Sequence, residues 1–281
     1  MGIYARQDDS TSSSTASTGS GDIPPPSSTS SVSETIETAT AISTSLPRPF
    51  DASLSGNNFT EPSCPQFFND FLTNTTFQEC LPFSLLLQTS NSFFTITKSP
   101  LSLIRTLDAT CHVPSYPACS ALMSSLATTL EETACKNDLS LENPLATQAH
   151  AGLLAYDALY HAACLTSPDT GNYCYADAVA NASAPTSSYV YYLPLGMQLP
   201  AGTRPACTRC LQDTMAIFAA QAGNKSNPLR GDYAQAAQVV MLGCGPGFVE
   251  AGVAVSGASA GGVGWGMGMV SLVAVLVSLI L

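Results

Sequence analysis

The sequence predicts an all-α fold: a disulfide-stapled helical domain with a disordered Ser/Thr-rich N-terminal segment. Three observations carry that prediction. From Cys64 to about Phe248 the apolar residues recur at three- and four-residue spacing, the period of a helix with one buried face. Proline follows a capping residue at Ser99-Pro100, Asn143-Pro144 and Asn227-Pro228, where its fixed φ and missing N–H suit the first turn of a helix. All ten cysteines, an even number, fall between Cys64 and Cys244, as in a disulfide framework formed in an oxidising compartment.

The chain divides into a segment over residues 1–55, a cysteine-rich helical domain over 60–250 and a C-terminal signal over 251–281. Residues 8–48 are dominated by Ser and Thr, with Pro24-Pro25-Pro26 and almost no large apolar side chain before Phe50. Such a tract cannot bury enough surface to offset its ordering entropy, and its composition suits an extended, O-glycosylated stalk as well as an unmodified tail.

Within the domain, Phe67, Phe68, Phe71 and Leu72 form a short apolar face, and Leu85 to Leu87 with Phe93 and Phe94 form another. The helix opened by Ser99-Pro100 is expected to bury Leu101, Ile104, Leu107 and Cys111. A longer helix follows Pro117, with Cys119, Leu122, Met123, Leu126 and Leu130 on one side. Asn143-Pro144 opens the next, running to about Cys164, and Asn227-Pro228 opens the last, with Tyr233, Ala237, Val240 and Cys244 on a stripe. Between Gly171 and Thr203 the period fades, and Tyr189-Val-Tyr-Tyr-Leu193 reads as a short extended run.

Cys64, Cys80, Cys111, Cys119, Cys135, Cys164, Cys174, Cys207, Cys210 and Cys244 are all disulfide candidates. If residues 118–135 form one helix, Cys119 and Cys135 stand about 24 Å apart at 1.5 Å per residue. They cannot pair, because bonded Cα atoms lie within about 7 Å. Cys111 with Cys119 and Cys164 with Cys174 are feasible across short loops, two pairings among many.

The C-terminus gives an address. Met269 to Leu281 is a charge-free run, apolar but for Ser271 and Ser278, preceded by a charge-free spacer from Gly261 to Gly268 and by small residues. That is the layout of a glycosylphosphatidylinositol attachment signal, with Ser256, Gly257, Ala258 and Ser259 as candidate attachment residues. A single membrane-spanning helix over Val263 to Leu281 is the competing reading, near the lower length limit and without the Lys or Arg that fixes a cytoplasmic end. An anchored protein must pass through the secretory pathway, yet residues 1–9 lack a basic start and apolar stretch, so a signal peptide is expected upstream of Met1. Myristoylation does not substitute, since Arg6 stands where that motif needs Ser or Thr. Sequons at Asn58, Asn74, Asn181 and Asn224 supply N-glycosylation candidates for the same route.

Twenty acidic against nine basic residues give a net charge of −11, which argues against nucleic acid or anionic lipid as a partner. The membrane is expected as a partner through the lipid anchor, with cell-wall glycans as candidate surface partners.

Reactive motifs are few. Cys207-Thr-Arg-Cys210 is a CxxC at a helix start, the geometry that activates thiols, but no thioredoxin-like βαβ context surrounds it, so structural disulfides are expected. No second CxxC and no HxxxH completes a zinc site, so no metal or cofactor is expected. His150 and His161 fall near one helical face, with Asp157 one turn before His161, and a helical Asp–His pair is the simpler account. Gly257-Ala-Ser259-Ala-Gly261 matches a nucleophile elbow without the strand that makes one. Arg230-Gly231-Asp232 sits at a helix start rather than a loop tip, and Glu131, Glu132 and Asp138 are carboxylates whose spacing alone places no pair across a sugar.

The segments Cys64-Pro-Gln-Phe-Phe-Asn-Asp-Phe, Phe77-Gln-Glu-Cys-Leu-Pro-Phe-Ser-Leu-Leu-Leu87, Cys207-Thr-Arg-Cys210 and Val240-Met-Leu-Gly-Cys-Gly245, followed by the anchor tail, resemble a family of unknown function: cysteine-rich surface proteins of filamentous ascomycete fungi. The resemblance covers roughly residues 60 to 250 and speaks to fold and location, since it brings no catalytic residues. It implies a non-enzymatic surface glycoprotein in wall organisation or surface binding. The alternatives are an anchored hydrolase of wall polysaccharide and capture of a small ligand between helices.

Overall fold

The computed structural model describes residues 45–52, 54, 58–224 and 227–252. The Ser/Thr-rich tract before Ser45 and the expected attachment candidates Ser256, Gly257, Ala258 and Ser259 lie outside the described residues. Within them the fold is all-α: there is no strand, and one antiparallel bridge joins Thr166 to Tyr173.

Four helices open the domain: α1 Ser63–Thr73, α2 Thr75–Cys80, α3 Phe83–Thr89 and α4 Asn91–Ile96. The longer α5 Pro100–Cys111 and α6 Tyr116–Thr129 follow, then α7 Lys136–Ser140, α8 Pro144–Leu154 and α9 Tyr156–Ala163. After α10 Cys174–Ala180 the chain closes with α11 Arg209–Gln221 and α12 Leu229–Cys244.

The proline-based starts are where the sequence puts them. Asn143 Oδ1 accepts the N–H groups of Leu145 and Ala146 at the head of α8, and Asn227 Oδ1 accepts that of Leu229 at α12. Each satisfies donors that the first turn leaves unpaired. On α12 the expected stripe is buried at Tyr233, Ala237 and Val240, all at 0% exposure, and half-buried at Cys244.

Local expectations fail in four places, the first being the helix opened by Asn143-Pro144, which ends at Leu154 before a second starts at Tyr156. On α5, Leu107 is buried as expected, but Leu101 and Ile104 face outward and Cys111 is half-buried, and the chain buries Leu103, Thr106 and Thr110 beside Leu107. Two apolar stripes compete there, and the one aligned with α9 and α10 wins; Thr106 can join it because its hydroxyl donates to the Ser102 carbonyl one turn back. Tyr189–Leu193 is not extended: Ser187–Leu195 is a 3₁₀ helix. With no partner strand for a ladder, local bonds such as Tyr189 N–H to Thr186 O satisfy the backbone, and both Val190 and Tyr191 become buried. Phe94 is 66% exposed, with the Lys98 ammonium 4.8 Å from its ring.

The packed part also begins before residue 60. Phe50 lies edge-on to Phe68 at 5.0 Å, and the Asp51 carboxylate accepts the backbone N–H groups of Asn91 and Ser92 at the start of α4. Burial pushes that carboxyl up, but the hydrogen bonds from Ser92, Asn91 and Ser90 outweigh it and hold it below the ordinary value.

Two buried clusters form the core. The first gathers Phe50, Phe68, Phe71, Phe77, Met123 and Leu153 from the leading segment, α1, α2, α6 and α8. The second gathers Leu107, Leu159, Tyr175, Tyr191, Phe218 and Tyr233 from α5 and from α9 onward. Helix α3 feeds both, Leu85 facing the first and Leu86 the second. Gly152 lets α8 approach α3, because a Cβ there would fall 2.3 Å from Leu85 Cδ2.

Candidate functional site

The cysteines build the frame that positions everything else. Cys64 pairs with Cys135, Cys80 with Cys119, Cys111 with Cys164, Cys174 with Cys210 and Cys207 with Cys244. The expected pairings Cys111–Cys119 and Cys164–Cys174 are therefore corrected: helix ends close in sequence are drawn to different neighbours by the core, and Cys111 meets Cys164 across the α5–α9 contact. Cys119 and Cys135 are each bonded elsewhere. The CxxC makes no internal bond, since Cys207 reaches the end of α12 while Cys210 reaches the start of α10.

The histidine and carboxylate candidates separate. A break at Ala155 puts His150 on α8 and His161 on α9. His150 Nε2 lies 3.4 Å from Glu131 Oε2, while His112 pairs with Asp108 at 3.3 Å on an exposed face. Asp157 and His161 are joined through a third residue. The Tyr116 hydroxyl of α6 donates to Asp157 Oδ1 at 3.1 Å and lies 3.0 Å from His161 Nε2, whose N–H it can accept. Tyr116 also stacks on Tyr160, with ring centroids 4.5 Å apart. Burial, reinforced by the Asp157 charge, pushes the Tyr116 phenol up to about 12, so it stays a neutral donor at physiological pH. The tyrosine spacing could not reveal this bridge, because Tyr116 is 41 residues from Asp157.

Asp138 is 1% exposed and spends Oδ1 on the Thr60 N–H, clamping the chain ahead of α1. It thus serves the fold, while Glu131 faces His150. Among the described residues no group of His, Cys, Asp and Glu could hold a metal ion. Arg230 and Gly231 lie in the first turn of α12 as expected, and Asp232 accepts from Gln198 Nε2 at 3.0 Å.

A cleft of about 330 Å³ lies between α10, the 3₁₀ helix and the start of α11, its first two walls coming from the stretch where the period fades. The Cys174–Cys210 disulfide, Val190 and Leu211 make its apolar base, and beneath them the Tyr191 hydroxyl lies 3.4 Å from Thr214 Oγ1. At the rim Asp177 accepts from the Thr170 hydroxyl at 2.6 Å and from Asn172 Nδ2 at 3.0 Å. Asp169 and Asn181 complete that edge, and no Lys, Arg or His lines the cleft. An acidic rim over an apolar base repels anions and favours cations and neutral groups that offer hydroxyl or amide donors.

The profile of the domain of unknown function DUF7729 matches residues 45–253, well over half of the chain. The chain belongs to the DUF7729 family. The DUF7729 match begins at Ser45, just ahead of buried Pro47 and Phe50, and so takes in the leading segment that packs against α1. No curated protein and no solved structure matches the chain. Three of the four sequons, at Asn58, Asn74 and Asn181, belong wholly to described residues of the DUF7729 domain, with Asn58 and Asn74 exposed and Asn181 half-buried. Asn224 is exposed as well.

Proposed function

We propose that this chain is a glycoprotein of the outer cell surface, held by a glycosylphosphatidylinositol anchor and acting without enzymatic chemistry in wall organisation or surface binding. The observation that carries the reading is the disulfide set: five bonds between separate elements, with no free cysteine among the described residues. That is the pattern of a domain matured in an oxidising compartment. Four sequons, the Ser/Thr-rich stalk and the small-residue, spacer and apolar-run order of residues 256–281 support the same route and its lipid ending. No helix among the described residues is long and apolar enough to cross a membrane, so attachment rests on that C-terminal segment. Resemblance to cysteine-rich surface proteins of filamentous ascomycetes supports a fungal wall setting. The acidic cleft supports a second reading, capture of a small neutral ligand such as a wall-glycan end.

Phosphatidylinositol-specific phospholipase C is expected to release the protein from membranes. Its mature C-terminal peptide is expected to end between Ser256 and Ala260. Recovery of a peptide containing Val270 to Leu281 from the mature protein would overturn the anchor.

A further inference from the structure

The half-buried sequon and the cleft are one feature. Asn181 caps the end of α10 and lines the cleft. Its Oδ1 accepts the N–H groups of Ser183 and Ala184, both at 3.0 Å, which turns the carboxamide oxygen back into the following turn. Nδ2 has no hydrogen-bond partner among the described residues, so replacing one of its protons breaks no contact. The sequon serine thus sits in an Asx turn that orients the acceptor amide in the folded chain.

We propose that the oligosaccharide on Asn181 folds back into the Cys174–Cys210 cleft, making the cleft the seat of the protein's own glycan. This rests on the secretory reading above. Attachment joins Asn181 Nδ2 to the anomeric carbon of an N-acetylglucosamine-terminated oligosaccharide. The donor is a lipid-linked oligosaccharide pyrophosphate: its anomeric carbon–oxygen bond breaks, the lipid pyrophosphate leaves, and one Nδ2 proton is released.

The cleft chemistry fits that occupant. An N-acetylglucosamine ring is uncharged, presents an apolar face and an acetamide methyl to Ala178, Ala180 and Val190, and offers hydroxyl and N–H donors to Asp177. The Asp177 oxygens each accept one bond already, and a carboxylate has room for about four. A volume near 330 Å³ is at the low end of the ~300–1,000 Å³ range of small-molecule sites, which admits the first sugars and leaves the branches outside. Tethering decides the competition with free ligands. A group held at the rim has an effective concentration on the order of millimolar or above, so even a weak site stays filled.

The test uses the full chain produced through a eukaryotic secretory pathway. Glycopeptide mass spectrometry follows release of each glycan by an endoglycosidase from the native protein and from the reduced, denatured protein. Native release from Asn181 is expected to be at least tenfold slower than from Asn58 and Asn74, with the difference vanishing on denaturation. Ala178→Trp, which fills the cleft from partly exposed α10, should bring native release at Asn181 up to the rate of the others, with helical dichroism reporting its fold. Equal native rates in the wild-type chain overturn the proposal, as does an unmodified Asn181 beside occupied Asn58 and Asn74. Protection that persists in folded Ala178→Trp overturns it too, assigning the shielding to the turn alone. Absence of glycan at all four sequons refutes the secretory reading itself.

Discussion

Gly152→Ala is expected to destabilise the domain, although alanine is the better helix former. In an exposed helix interior the exchange gains about 1 kcal/mol. Here the new Cβ would lie 2.3 Å from Leu85 Cδ2 and 3.1 Å from its Cγ, well inside the ~3.5–4.0 Å at which carbon atoms rest. Leu85 cannot swing aside, since it is 0% exposed within the first core cluster, and its own Cα is only 3.4 Å from the new atom. Overpacking of this kind costs about 1–3 kcal/mol, and setting the propensity gain against its upper part leaves a net loss of about 1–2 kcal/mol. For a domain of this size that corresponds to a fall in Tm of about 2–8 °C. Guanidinium unfolding of the oxidised protein measures it. Leu85→Ala should itself cost about 2–5 kcal/mol, and the double variant should be more stable than the sum of the single losses implies, by about 1–2 kcal/mol. A Gly152→Ala protein as stable as wild type, or an additive cycle, would refute the close approach of α3 and α8.

Three further outcomes are expected. Cys207→Ser should leave Cys244 as the alkylatable thiol and cost about 4 kcal/mol by the chain-entropy estimate for its 37-residue separation; a free Cys210 would instead indicate an internal CxxC bond. Asp51→Ala should cost about 1 kcal/mol, as for loss of a helix cap, measured by denaturant unfolding, and an unchanged midpoint would detach residues 45–52 from the fold. Burial raises the phenols of Tyr175 and Tyr191 and, together with the Glu250 charge, lifts Tyr233 to about 12. The folded chain therefore holds these protons more tightly than the unfolded chain, and the stability they support is intact below about pH 10 and lost as pH rises through about 12. A rapid alkaline titration of tyrosine absorbance should accordingly lag that of the denatured protein, and coincident curves would contradict the burial.

What the sequence disclosed was local. Pro100, Pro144 and Pro228 announce helix starts because capping depends on two or three adjacent residues, and the α12 stripe follows because one face of that segment is plainly apolar. The α5 face was ambiguous, since Leu101 and Ile104 compete with Leu103 for the buried places beside Leu107, and only the neighbours α9 and α10 decide between them. Disulfide partners stay hidden for the same reason: Cys111 and Cys164 are 53 residues apart, and nothing in their flanking sequence encodes the contact. The cleft was illegible because its walls come from three elements separated in sequence, two of them, α10 and the 3₁₀ helix, in a stretch without a clear period. Asn181 itself was visible as a sequon, but its place at the cleft rim required the fold.

Non-reducing peptide mapping of the protein recovered from the outer cell surface tests the account most directly. It predicts no free thiol and five crosslinked pairs: Cys64–Cys135, Cys80–Cys119, Cys111–Cys164, Cys174–Cys210 and Cys207–Cys244. A Cys207–Cys210 bond, or a pool of reduced cysteines in the surface protein, would contradict it.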